Sequence, residues 1–279
     1  MNEDLQPDPV SKEDYHLALR ELDIAVCEAK AVSNAIGTRQ ADKPNHAWST
    51  YIFLRICINA GIMIANVPGS RWVKKDYELW DFSSVAPQAR AIMEARLLLF
   101  YISKENKSDD EWRVKLNTMH MNDCMKRIDM FSAGDNTKIL DFYLEQKQEI
   151  ESVLMSSDYF QTLDNGTRKR ILAGKIMTIQ SRDELIQEIG DDPDSFRKLF
   201  DFLSHYTHIL PMSYYKAEAN GRGTGCFNIY DHAYIYMAMI LVKDCLVFCT
   251  DIICEMFPDT SRARKGLKSK ITIGPKPRK

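Results

Sequence analysis

The chain has 279 residues, a formal net charge of −2, 45% hydrophobic and 27% charged residues, and only 12 Gly and 10 Pro. This composition fits a globular protein and excludes collagen-like or low-complexity architectures. Eight basic residues lie between Arg262 and Lys279, leaving residues 1–261 at about −10, which argues against a body that wraps duplex DNA through its charge.

The chain opens on an acidic, Pro-containing stretch, Met1 to Val10, expected to be a flexible N terminus without the basic and apolar regions of a leader. Its seven cysteines are scattered, several within apolar runs, so a reducing, cytoplasmic location is expected. From Ser11 to Thr38, Tyr15, Leu19, Leu22, Val26, Ala29 and Ile36 recur at helical spacing behind an N-cap serine. His46 to Val67 is apolar on nearly every side and reads as a central helix, ended by Pro68-Gly69. An aromatic-rich connection, with Trp72, Tyr77, Trp80 and Phe82, leads to a second central helix over Ala86 to Lys104.

Helices are expected next near 109–131 and 136–156, broken by Gly134-Asp135-Asn136, and then near 165–173 and 181–190. The second of the short pair opens on a capping box, Ser181-x-x-Glu184. Pro193 starts a helix to about Leu210, and a Gly-rich loop at 216–228 precedes the last helix, Tyr230 to Phe257. That helix approaches the length of a membrane span, but Lys243, Asp244, Asp251 and Glu255 interrupt it, so no span is expected. The fold class is therefore all-α: one bundle of about eight helices over 11–258, followed by a disordered basic tail over 259–279.

Polar residues on otherwise apolar helices mark the candidate site, because a buried charge needs a partner. On the helix 46–67 these are Arg55, Asn59 and Asn66; on the helix 86–104, Arg90 and Glu94, expected to form a buried pair. On the helix 193–210, Arg197, Asp201, Ser204 and His208 fall within about 60° of one another. His205, His208 and Asp201 are too few to hold a metal without further ligands, and neither a metal nor a cofactor is expected.

Arg90-Ala-Ile-Met-Glu94 and, later, Ser204-His-Tyr-Thr-His208 resemble the paired signatures of an uncharacterised bacterial helical family, which carries R-x-x-x-E and S-x-x-x-H on separate helices. The resemblance implies a helical fold and a site at Arg90, Glu94, Ser204 and His208. A distant similarity to HEPN-type RNases rests on Arg39…His46 and Arg113…His120, which match the Arg–His spacing of those enzymes. Pro44 interrupts the first pair, and Val114 departs from the polar residue usual after the Arg.

Two functions follow. The first is a non-catalytic module that holds a protein segment or an anionic ligand, with Arg55, Asn59, Arg197 and Asp201 as binding residues. The alternative is a hydrolase acting on RNA or a nucleotide, with His208 as general acid/base, Glu94 its orienter and Arg55 or Arg90 stabilising the developing anion. A role in bacterial defence or stress suits either function by analogy, and self-association is compatible with both.

Overall fold

The structure, a computed structural model, describes residues 9–134, 137–215, 217 and 221–270. Among the described residues there are helices and no strands, so the all-α expectation holds. The chain divides into two compact units: residues 1–103 with 186–279, and residues 104–185.

In the first unit, α1 (Lys12–Ile36), α2 (Pro44–Asn66), α3 (Ala86–Ser103) and α11 (Ile229–Met256) close a four-helix core. α1 packs on α2 and α11, and α3 packs on the same two helices; α9 (Pro193–Thr207) lies against α3. The core is filled by fully buried side chains such as Leu22, Val26, Phe53, Ile56, Met63, Ile92, Leu99, Met239 and Leu246. Local chemistry sets the helix ends. Ser11 Oγ accepts the Asp14 N–H at 3.0 Å to start α1. Gly37, at φ +63°, ends it in a conformation that costs other residues strain. Asn228 caps α11 through the Asp231 N–H at 2.8 Å, and Asp192 caps α9 through the Ser195 N–H at 2.8 Å. α10 (Pro211–Tyr214) is one further turn.

α2 is not wrapped by protein as its composition suggests. Phe53, Ile56, Cys57, Ala60 and Met63 face the core, while Tyr51, Leu54, Ile58 and Ile62 form an exposed apolar stripe. By length and composition this helix is apolar enough to cross a membrane, with 39% of its most apolar window buried.

The basic tail begins later than the sequence suggests. Residues 258–270 form two 3-10 turns, Pro258–Ala263 and Gly266–Lys268, packed on α1. Arg39 grips Asp259 through two 2.9 Å bonds. Arg264 Nε donates to Glu28 at 3.0 Å and also pairs with Asp251, while the Gly266 N–H donates to Glu28 at 2.8 Å. Arg264 thus meets acids on both α1 and α11, and Asp259 meets the arginine that follows α1, so the segment up to Lys270 is docked on the first unit. The rest of the tail, 271–279, lies outside the described residues, as do residues 1–8 of the N-terminal stretch.

The second unit contains α4 (Asp109–Ser132), α5 (Thr137–Met155), α6 (Asp158–Thr162) and α7 (Asn165–Leu172). α4 packs on the other three around Val114, Met121, Leu154, Phe160 and Ile171. Asp110 ties α4 to the start of α6, accepting 2.8 Å bonds from Ser157 Oγ and the Tyr159 N–H. The unit boundary falls within α8 (Arg182–Ile189), which opens on the expected capping box.

Candidate functional site

The side chains singled out in the sequence do not assemble into a closed polar site. Glu94 is exposed, 49% for its side chain, and meets Arg90 at 3.8 Å. It escapes burial because its side of α3 is left uncovered. Arg90 instead lays its guanidinium over the Phe200 ring of α9, 4.5 Å from the centroid. Ser204 Oγ donates back to the Phe200 carbonyl at 2.6 Å, within its own helix. His208 is the exposed C-cap of α9, and its side chain has no hydrogen bond or ion pair among the described residues. Arg55 is exposed, and the Asn59 amide donates to the Arg55 carbonyl at 2.9 Å. Arg197 pairs with Asp194 on the surface of α9, and Asp201 is exposed. Of the HEPN-type pair, Arg113 is exposed and His120 half-buried on α4, where burial holds the imidazole pKa below its usual value.

Buried charge in the first unit lies elsewhere, at Asp23 of α1, held by Arg71 and the Trp72 indole, and most deeply at Asp231. Asp231, in the first turn of α11, is 1% exposed. Arg222 donates to both its oxygens, at 2.7 and 3.2 Å, and to the Tyr206 hydroxyl at 2.8 Å. Asp231 also accepts the Phe82 N–H at 3.0 Å and the Asn228 amide at 2.8 Å. Burial opposes the Arg222 charge, but the bonds to Asp231 and Tyr206 outweigh it and raise its pKa. With every oxygen engaged, this network is a clamp: it joins the segment before α11 to the 3-10 turn Phe82–Ser84 and to α9.

The clamp positions a pocket of about 390 Å³. Its aromatic side is built by Tyr15 of α1, Trp80 of the 67–85 connection, Phe227 and His232. Tyr15 stacks on His232 with centroids 4.6 Å apart, and Trp80 meets Phe227 edge-on at 5.0 Å. Trp80 is held by its backbone N–H, which donates to the Gly225 carbonyl at 2.8 Å. Gly225 has φ +76°, a backbone conformation that strains residues with a Cβ, so glycine suits this turn.

Pro68 and Gly69, just past the end of α2, complete the walls with His16, and Lys12 and Glu78 bring charge to the site. The Tyr15 hydroxyl donates to the Pro68 carbonyl at 3.1 Å. Burial, then the nearby Glu78 carboxylate, pushes the Tyr15 phenol well above its usual range. Burial, then His16, lowers the His232 pKa, so its ring is neutral at neutral pH.

None of these residues was a sequence candidate. The signal that could have found them is the aromatic density of the connection at 70–87 together with Phe227, the two segments the clamp brings together. A second depression, about 590 Å³, lies in the second unit between α7 and the 176–184 segment, with Asp164, Arg170, Arg182 and Glu184 among its lining residues. Comparison of the chain with protein-family models, with curated proteins and with solved structures finds no match.

Proposed function

We propose that this protein is a non-catalytic, ligand-binding helical module, and that its ligand is a small organic molecule held in the aromatic pocket of the first unit. The observation that carries this reading is the pocket itself: a concave site of about 390 Å³ with four ring side chains and three titratable groups at its edge. That volume is within the range of about 300–1,000 Å³ usual for small-molecule sites. The lining supplies no serine or cysteine nucleophile, and the Tyr15 hydroxyl is already engaged with Pro68. The residues on which a hydrolase reading depends, His208 and Glu94, are exposed and share no hydrogen bond or ion pair among the described residues.

The test is a screen of small organic compounds by thermal shift and tryptophan fluorescence, since Trp80 lines the pocket. Phe227 is 55% exposed, so Phe227→Ala should fold normally. A ligand that raises the melting temperature of the wild type, and binds Phe227→Ala at least severalfold more weakly, is the expected result. Ligands that bind both proteins equally would overturn the pocket assignment. An RNA- or nucleotide-hydrolysing activity lost in a folded His208→Gln variant would replace this reading with the enzymatic one.

A further inference from the structure

Resting on the pocket reading, we infer that the ligand of this site is a small hydrophobic monocarboxylic acid, its carboxylate accepting a hydrogen bond from the His232 imidazole and meeting the Lys12 ammonium. The first observation is an unsatisfied imidazole. His232 is 5% exposed and lines the pocket. Its ring is packed by Tyr15, Phe227 and Trp80, with centroids 4.6, 5.4 and 5.5 Å away. Its nitrogens, however, have no hydrogen bond or ion pair among the described residues. A buried polar group without a partner is costly, and the pocket is the open space from which a partner can reach this one.

Charge narrows the choice of partner. The neutral imidazole offers one N–H, which any acceptor could take. Lys12 also lines the pocket, and its ammonium pairs with no acid among the described residues. The carboxylate of the lining, Glu78, is already met by Lys75 Nζ at 3.4 Å, and no ion pair joins it to Lys12. The uncompensated charge of the lining is therefore positive.

The geometry of α1 places that charge. At 100° per residue, Lys12 and His16 lie about 40° apart, on the side of α1 that Tyr15 presents to the pocket. Glu13 and Asp14 turn away and are not part of the lining; Asp14 is bonded to Ser11 Oγ at 2.7 Å. The rest of the lining, with Pro68, Trp80 and Phe227, is apolar. A compact inorganic anion would leave that apolar surface uncovered. A hydrophobic acid covers it, and supplies one charge for Lys12 and one acceptor for His232.

The experiment compares octanoate and phenylacetate with their primary amides, octanamide and phenylacetamide, by calorimetric titration of the full chain. The amides keep the shape and lose the charge. Each acid should bind about tenfold more tightly than its amide. Lys12→Gln should weaken the acids severalfold and leave the amides unchanged. His232→Phe keeps a ring against Tyr15 but removes the donor, and should also weaken the acids severalfold. In the wild type, the His232 imidazole nitrogen signals in NMR, assigned by their absence from His232→Phe, should shift as the acid binds. Equal affinity for acid and amide, or His232 signals that stay fixed at saturation with the acid, would overturn the carboxylate assignment while leaving the pocket reading intact. So would failure of both acids to bind a protein that takes an uncharged or cationic molecule in the same pocket. Absence of any pocket ligand in the wider screen would remove the binding function itself, a result distinguishable from the others.

Discussion

Asp231 and Glu94 are both acidic residues on long helices, but their surroundings give them opposite weight. Asp231 is fully enclosed and holds Arg222, whose own side chain is 9% exposed. Asp231→Ala would leave that guanidinium buried without its counter-charge, and should cost about 3–5 kcal/mol in chemical denaturation. Glu94→Ala removes a long, solvent-screened i,i+4 contact and should change stability by no more than about 0.5 kcal/mol in the same assay.

His232 makes a further prediction in pH. Its folded pKa is depressed by burial and then by His16. The folded protein therefore binds fewer protons than the unfolded chain once pH falls below the ordinary histidine value of about 6.5. The stability is present above that value and is lost as pH falls from it through the lower folded pKa. His120 adds a loss of the same sign. In His232→Phe, which keeps a ring against Tyr15, the decline in melting temperature between about pH 6.5 and 5 should be shallower than in the wild type. An unchanged slope would show that His232 is not the source.

Helices in this protein acquire their roles from what covers them. The C-terminal turns cover part of α1 and connect to it through Arg39–Asp259 and Arg264–Glu28. Thr260 is fully buried among them, and its hydroxyl donates to the Phe257 carbonyl at 2.7 Å. Truncation after Phe257 should therefore lower the melting temperature by several degrees, against the indifference expected of a free basic tail. A wild-type melting curve for the truncated chain would show that these turns add nothing to the body. α2 illustrates the converse. One face fills the core with Phe53, Ile56 and Met63, while Tyr51, Leu54, Ile58 and Ile62 remain open. Its composition is that of a central helix, but its position is that of an edge.

At the scale of the molecule, each unit has its own apolar core. The core of residues 104–185 includes Val114, Met121, Leu154, Phe160 and Ile171, a much smaller set than the one gathered by α1, α2, α3 and α11. A small core buries less apolar surface per residue and is closer to the margin of stability. Phe160→Ala removes a ring that is 1% exposed and should cost about 3–5 kcal/mol within that unit. Hydrogen exchange should then accelerate across α4–α7 and leave α1, α2 and α11 protected. Acceleration spread evenly over both units would mean that they unfold as one.

The sequence by itself determined the helices of this protein, because their signals are local. Apolar residues at helical spacing, Ser11 before α1, Ser181 with Glu184, and Pro193 at the start of α9 each act over three or four residues, within reach of a reader of the chain. The aromatic connection before α3 was visible too, though not what it would build. Only the tertiary structure decided which polar groups are buried. Arg90 and Glu94 have the spacing of a buried pair, but the first found Phe200 and the second found solvent, because α9 covers only part of α3. Asp231 reads as an ordinary acidic residue in a first helical turn. It became the centre of a clamp through the Phe82 N–H, 149 residues away, and Arg222. The pocket has the same origin: Tyr15, Trp80 and His232 are far apart along the chain, and their contact depends on how α1 and α11 pack, a long-range choice that no local pattern encodes.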